Sequence, residues 1–154
     1  MSCRKSPKKQ CLLDMFSELT AIFPYLLDES NNADDPDYQL SLGYCYSLME
    51  EHKKSLSAYK KAIKLLDNEN CDDIYNSMAV EYMLLRDFER ALFYFKKGLN
   101  ATPDIAEQYA EITNCYFFLD KPDEAIEFFK GEVDKNPYSI TAWMTLGNCY
   151  LRIH

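Results

Sequence analysis

Glycine and histidine are scarce in this chain of 154 residues, and their scarcity excludes several kinds of active site. The four glycines stand at positions 43, 98, 131 and 147, too far apart to form a glycine-rich loop that cradles phosphate. His52 falls between two predicted helices and His154 is the last residue, and neither has a serine or cysteine at a recognisable motif spacing. We therefore expect no catalytic residues and no enzyme activity.

Cysteine occurs six times, but never in a pattern that indicates a metal site or a disulfide scaffold. The cysteines stand at positions 3, 11, 45, 71, 115 and 149, and the closest two are eight residues apart, so the chain has no C-x-x-C ligand pair. A chain of this length with 47% hydrophobic residues can bury a core without disulfides. We expect reduced thiols in a cytoplasmic protein that holds no metal ion and no cofactor.

Long hydrophobic runs are missing, and acidic residues outnumber basic ones. The partly apolar stretch Cys11–Phe23 is interrupted by Asp14 and Glu18, so it fits neither a secretory signal nor a membrane span. The net charge is −8, and because residues 1–10 carry four basic residues and no acid, residues 11–154 carry −12. An acidic surface repels phosphate groups. We therefore expect neither nucleic acid nor membrane as a partner.

What the sequence does contain is a period of 34 residues. Six columns of similar residues recur at this separation, and only the first interval is longer, at 36, because two extra residues fall in the polar stretch 68–71. Composition alone does not produce six columns with one offset. The columns are Tyr46, Tyr82, Tyr116 and Tyr150; Leu42, Met78, Ile112 and Leu146; Tyr75, Tyr109 and Trp143; Ala91 and Ala125; Phe95 and Phe129; and Pro103 and Pro137.

Within each period the apolar residues have helical spacing. Tyr75, Met78 and Tyr82 follow the i, i+3, i+7 pattern of one helix face, and a second such pattern begins at Phe88 after a short break. Two helices joined by so tight a turn form an antiparallel pair. Each pair has an apolar face that it cannot cover alone, so successive pairs must stack. The sequence thus predicts an all-α fold of stacked helix pairs.

These columns resemble the tetratricopeptide repeat family, whose 34-residue motif places large, small and aromatic residues at fixed positions. Leu42-Gly43 and Leu146-Gly147 stand at the Leu-Gly positions of that motif, whereas Gly98 and Glu132 replace its usual alanine. The resemblance covers residues 36–154 and implies a right-handed α-solenoid that acts as a scaffold for other proteins. It divides the chain into repeat units at 36–69, 72–105 and 106–139, followed by the first helix of a truncated fourth unit at 140–154.

Residues 1–35 match the repeat poorly. We expect residues 1–10 to form a basic, flexible tail. Residues 11–35 carry a helical stripe that includes Leu12, Phe16 and Leu19, and we interpret them as a helical cap on the first unit. The alternative is a degenerate repeat.

In this family the first helices of successive units line a concave groove, and the resemblance implies which residues lie there. The set is mainly apolar with several amides, which suits the side chains and backbone of a polypeptide. Its rim is acidic, so we expect a protein or peptide partner of basic or amphipathic character. The alternative is that part of the set, Val80 for example, belongs to the core between helices. The expected groove residues are Leu40, Tyr44, Asn76, Val80, Met83, Asn114, Phe117, Phe118, Asn148 and Leu151.

The last predicted helix has an apolar face made of Trp143, Leu146, Tyr150 and Ile153, with no following helix to cover it. Our preferred interpretation is that the chain is a fragment of a longer repeat protein. The alternative is that this face packs against a second copy in a homodimer, which would make the chain a structural or self-assembling module.

Overall fold

A computed structural model of the chain describes residues 34–67, 71–99 and 106–153, and all regular structure in these ranges is α-helical. The predicted all-α fold of antiparallel helix pairs is confirmed. The tail predicted for residues 1–10, nearly all of the cap predicted for 11–35, and Pro103 lie outside the described ranges. The helices are α1 Pro36–Leu48, α2 His52–Leu65, α3 Asp72–Leu84, α4 Phe88–Gly98, α5 Ala106–Phe118, α6 Pro122–Lys135 and α7 Ile140–Ile153.

The chain divides into two compact units after Leu65. The first unit contains the pair α1 and α2, which pack against each other. The second unit contains the pairs α3–α4 and α5–α6, with α4 against α5, and the single helix α7, which packs against both α5 and α6.

The same tight turn closes each helix pair. Glu50, Arg86 and Asp120 have left-handed backbone conformations, with φ of 60°, 60° and 56°. The residue after each of them donates its amide to a carbonyl five residues earlier, as when Asp87 N–H bonds Tyr82 O at 2.8 Å. This Schellman arrangement satisfies carbonyls at the helix end and reverses the chain within a few residues. The period seen in the sequence therefore recurs in the backbone.

Side chains at the helix starts fix where each helix begins. The Asp35 carboxylate accepts the Asp37 N–H at 3.0 Å, with Pro36 in the first turn of α1. At the start of α4, the Asp87 carboxylate accepts both the Arg90 N–H at 3.1 Å and the Arg90 Nε–H at 2.7 Å. The hydrogen bond from the Arg90 side chain holds the pKa of the Asp87 carboxyl below its ordinary value. These caps satisfy amides that have no partner inside the helix.

The core of the second unit consists of the residues that recur in the sequence. Ala91 and Ala125 are fully buried, and the rings of Phe95 and Phe129 are buried one turn further along α4 and α6. Tyr109 packs edge-on against Phe129 with 5.2 Å between ring centroids. Burial of each phenylalanine side chain contributes about 1.5–3 kcal/mol to the free energy of folding. The repeat pattern is therefore a core pattern.

Lys96 joins three helices of the second unit. Its ammonium group, on α4, lies 4.7 Å from the ring centroids of both Tyr116 on α5 and Phe128 on α6, and it donates to the Tyr116 hydroxyl. Burial lowers the pKa of Lys96 and raises the pKa of Tyr116 to about 12. Two aromatic faces thus replace part of the hydration that the cation loses in this position.

Close approach of paired helices is clearest in the first unit. A Cβ atom added to Gly43 on α1 would lie 2.5 Å from the Tyr59 ring on α2, so only glycine fits there. Gly147 follows a leucine in the same way in the sequence, but a Cβ at that position would meet no atom within 4 Å. The two glycines therefore share a place in the repeat and differ in what covers them.

We expect Gly43→Ala to destabilise the protein, because the ring or the helix must move to admit the methyl group. Overpacking of this kind costs about 1–3 kcal/mol, partly offset by the higher helix propensity of alanine. Gly147→Ala is the matched control and should gain about 0.5–1 kcal/mol, since nothing opposes its methyl group. Urea unfolding followed by far-UV circular dichroism measures both. Equal stabilisation by the two substitutions would contradict the close contact at Gly43.

Candidate functional site

A cleft of about 480 Å³ runs between α5 and α7 in the second unit. From Thr141 to Arg152 the lining of α7 spans twelve residues, so the eleven steps of 1.5 Å between them make the cleft about 16 Å long. Its volume falls within the range of about 300–1,000 Å³ typical of ligand sites. Its lining residues are Ala106, Ala110, Thr113, Asn114, Thr141, Met144, Thr145, Asn148, Leu151 and Arg152.

The amphipathic pattern of α7 determines which residues face the cleft. Its stripe of Ala142, Leu146 and Cys149 is buried, and α7 packs on α5 and α6. The helix start is set by Ser139, whose hydroxyl oxygen accepts the Ala142 N–H at 3.1 Å. Because the buried stripe of α7 faces α5 and α6, the neighbouring stripe of the same helix, which includes Asn148, lies along the cleft.

Arg152 spans the cleft at the C-terminal end of α7. Its guanidinium donates to Asn114 Oδ1 at 3.1 Å and lies 3.9 Å from the centroid of the Phe117 ring. The hydrogen bond and the cation–π contact hold the positive charge at this end of the cleft. The side chain of Asn114 is therefore already engaged, whereas the exposed Asn148 lies in the cleft wall.

Three of the predicted groove residues, Asn114, Asn148 and Leu151, line this cleft. Phe117 is half-buried under Arg152. Phe118 is 60% exposed and stacks on Phe88 with 4.5 Å between ring centroids. The structure thus brings five predicted residues of α5 and α7 to one region of the second unit.

The predicted residues on α3 and α1 are placed less uniformly. Val80 is exposed, so its alternative assignment to the core does not hold, and Met83 is half-buried. On α1, in the first unit, Tyr44 is exposed and Leu40 is half-buried. A groove shared by these α1 residues and those of the second unit stays a prediction.

Asn76 differs from its predicted role as an open groove residue. Its Oδ1 atom is buried, without a hydrogen-bond partner among the described residues, and a Cβ on Gly98 would lie 2.4 Å from it. The side chain of Asn76 therefore packs between α3 and α4. Glycine at position 98, where the repeat usually has alanine, leaves the room that the amide occupies.

Thr145 lines the cleft but is missing from the predicted set. It stands four residues after Thr141 and three before Asn148, on one stripe of α7, so helical spacing could have identified it. Its hydroxyl donates to Thr141 O at 2.8 Å and is thus used inside the helix. Thr145 contributes mainly its methyl group and its small size to the wall.

The outer face of α7 is apolar and partly exposed. Trp143 is 54% exposed, with its indole N–H donating to Pro137 O at 3.0 Å, and Tyr150 and Ile153 are also exposed. Leu146 was expected on this face, but only 7% of its surface is exposed. It packs inside its own unit, because the buried stripe of α7 is wide enough to include it.

The described cysteines are buried free thiols. They are Cys45, Cys71, Cys115 and Cys149, and burial raises the pKa of all four, that of Cys115 to about 12. Protonated thiols are poor nucleophiles and poor metal ligands. In the part of the chain that the structure describes, no group of three or more His, Cys, Asp or Glu residues could hold a metal ion. None of the seven described helices has the length and apolar character needed to cross a membrane.

A family model for the tetratricopeptide repeat (TPR) matches residues 36–65 and 72–105, the pairs α1–α2 and α3–α4. The match identifies these two helix pairs as tetratricopeptide repeats. The helix pair α5–α6 has the same turn and the same spacing of buried residues as the matched TPR pair α3–α4. No curated protein sequence matches the chain.

Solved TPR structures have the same fold. Residues 41 to the end of MamA from Desulfovibrio magneticus RS-1 are 17% identical with a TM-score of 0.66, over 96% of this chain and 86% of that one. The Sgt2 TPR domain from Aspergillus fumigatus is 14% identical with a TM-score of 0.56, over 77% and 79%. YrrB, described as a TPR protein with an unusual peptide-binding site, is 20% identical with a TM-score of 0.57, over 79% and 61%. At these identities the likeness concerns the fold.

We expect the four described cysteines to react slowly with iodoacetamide at pH 8 in the folded protein. Their raised pKa values keep the thiolate fraction small, and burial limits access. Peptide mapping by mass spectrometry after timed labelling measures each site. In concentrated urea all four should label at a common faster rate, which is the control. Rapid labelling of Cys115 in the folded protein would contradict the buried assignment.

Proposed function

We propose that this protein is a non-enzymatic scaffold that holds a segment of another polypeptide in the cleft between α5 and α7. The observation that carries the proposal is the cleft itself, which runs along two neighbouring helices and is lined by Asn114, Asn148 and Leu151. A site of this shape suits a chain, because an occupant can extend along its length of about 16 Å.

The chemistry of the lining supports a peptide as the occupant. Met144 and Leu151 are largely exposed and offer apolar surface to side chains. The amide of Asn148 can both donate to and accept from a peptide backbone. The methyl groups of Thr141 and Thr145 and the small side chain of Ala110 leave room for the main chain.

The two matched tetratricopeptide repeats support the coarser part of the proposal. TPR proteins are generally interaction scaffolds without catalytic activity, and YrrB is described as having a peptide-binding site. Which polypeptide this chain holds depends on the residues of its own cleft. The strongly acidic composition favours a partner with basic residues.

A second candidate function, self-association, is favoured by the outer face of α7. Trp143, Tyr150 and the open surface of Gly147 lie there. In the first unit the equivalent surface at Gly43 is covered by the Tyr59 ring. We propose that a second copy could place an apolar side chain on Gly147 in the same manner.

We expect Leu151→Lys to weaken peptide binding by the cleft, because the added charge and its hydration shell displace an apolar contact. Leu151 is 78% exposed, so the fold should tolerate the change. A random peptide display library selected on the full chain supplies the ligands, and fluorescence anisotropy of the enriched peptides measures affinity. We expect a loss of about tenfold or more, equivalent to about 1.4 kcal/mol.

Phe93→Lys is the matched control for that experiment. Phe93 is 59% exposed on α4 and is not among the cleft residues, so the same chemical change there should leave peptide affinity within about twofold. Failure of the library to enrich any peptide, or equal losses for the two variants, would rule out the cleft as the binding site.

For self-association, Trp143 is a built-in reporter because it is the only tryptophan in the chain. Burial of this residue between two copies should shift its fluorescence to shorter wavelength as the protein concentration rises. Sedimentation velocity should show a dimer over the same range, and Trp143→Glu should remain monomeric. A concentration-independent monomer together with an unchanged emission maximum would eliminate this candidate.

A further inference from the structure

The exposed stripe of α5 changes character along its length. Glu107, Glu111, Asn114 and Phe118 follow helical spacing and therefore share one face. The two carboxylates occupy the N-terminal half, and the exposed Phe118 ring ends the stripe. A partner lying along α5 therefore meets negative charge first and an aromatic surface last.

Glu111 is the acidic residue of the stripe that has a buried carboxylate oxygen without a hydrogen-bond partner in the described part of the chain. The residue as a whole is half-buried, and the oxygen in question is Oε2. Removing a carboxylate oxygen from water without a replacement partner is costly. A cation that approached the stripe would recover that loss after a small rotation of the side chain. Glu107, one turn earlier and exposed, adds a second negative charge beside it.

The aromatic end of the stripe is preformed. Phe118 stacks on Phe88, the first residue of α4, with 4.5 Å between ring centroids and an interplanar angle of 14°. This contact places the C-terminal end of α5 beside the start of α4. Val80 and Leu84 are further exposed apolar residues on α3 of the same unit.

Arg152 gives the surface a direction. Its charge is held against Asn114 and Phe117, beyond the acidic half of α5. A basic partner residue is therefore repelled near Arg152 and attracted near Glu111. An apolar residue gains contact surface at the exposed Phe118 ring and none beside the two carboxylates.

The helix also sets the spacing of the partner's residues. Phe118 follows Glu111 by seven residues and Glu107 by eleven, which correspond to about 10 and 16 Å along the helix axis. An extended chain advances about 3.3 Å per residue. The basic and apolar residues of an extended partner should therefore stand about three to five positions apart.

We propose that the partner is an extended peptide segment in which a lysine or arginine pairs with Glu111 or Glu107 while a bulky apolar residue packs on Phe118. The two partner residues stand about three positions apart for Glu111 and about five for Glu107. This inference rests on the proposed function, because the α5 stripe shares Asn114 with the cleft between α5 and α7. Glu107, Glu111 and Phe118 lie outside the cleft lining, so the bound segment extends from the cleft onto α5. It adds the charge, the spacing and the orientation of the bound segment.

Peptide display on the full chain tests this pattern directly. Enriched peptides should carry Lys or Arg three to five positions from Leu, Ile, Phe, Tyr or Trp. Binding of those peptides should weaken about tenfold or more in the double variant Glu107→Gln and Glu111→Gln. The difference in affinity between the variant and the unchanged chain should become smaller as the salt concentration rises, because salt screens the charges. Repeating the selection on the double variant should yield apolar peptides without the basic residue.

Glu124→Gln with Glu127→Gln on α6 is the control, because it makes the same change of net charge on exposed residues of another helix. Affinity should stay within about twofold there. The thermal unfolding temperature of the Glu107/Glu111 variant should stay close to that of the unchanged chain. The Glu111 carboxylate removed is unpaired, and Glu107 loses only its interaction with the N-terminus of α5. Lower affinity caused only by partial unfolding would appear in that measurement and would count against the proposal.

Two outcomes separate this inference from the proposed function. Peptides that bind, lose affinity with Leu151→Lys, and lack a basic residue or place it at least seven positions from the apolar one would overturn the inference and leave the scaffold function standing. The absence of any enriched peptide would overturn both.

Discussion

The close approach of the two helices in a pair is the constraint on which the rest of the structure depends. In the first unit Gly43 lies directly beneath the Tyr59 ring, and in the second the fully buried Ala91 and Ala125 permit similarly tight packing. Helices this close bury aromatic rings such as Phe129 between them but leave one apolar face of each pair uncovered. Neighbouring helices must cover that face, and the cleft between α5 and α7 arises from this packing.

The core residues repeat from one helix pair to the next and stabilise the fold, whereas the surface residues differ between helices and are available for binding. Core residues recur every 34 positions because the two helices of every pair pack against each other in the same way. Residues at equivalent surface positions differ, with Glu111 on α5 replaced by Thr145 on α7 and Phe118 replaced by Arg152. The neighbouring helices α5 and α7 therefore present different charges at equivalent positions. Substitutions at these surface positions can change the specificity for a partner without destabilising the core.

Arg152 illustrates how this surface is organised before any partner binds. Its contacts with Asn114 and Phe117 tie α7 to α5 and place a positive charge at one end of an otherwise acidic and apolar surface. Since two independent contacts hold the side chain, less conformational entropy is lost when a ligand meets it. The outer face of α7, with Trp143, is a separate apolar surface on the same helix.

By itself, the sequence determined the helix pairs, their turns and most of the core, because a period of 34 residues with helical spacing inside it admits few other folds. The resemblance to the repeat family placed Asn114, Asn148 and Leu151 in one groove, and all three line the cleft between α5 and α7. Only the tertiary structure decided that Asn76 packs against Gly98 and that Leu146 is buried. Periodicity establishes which residues share a face of a helix, whereas burial depends on what packs against that face, and that is a property of contacts between helices.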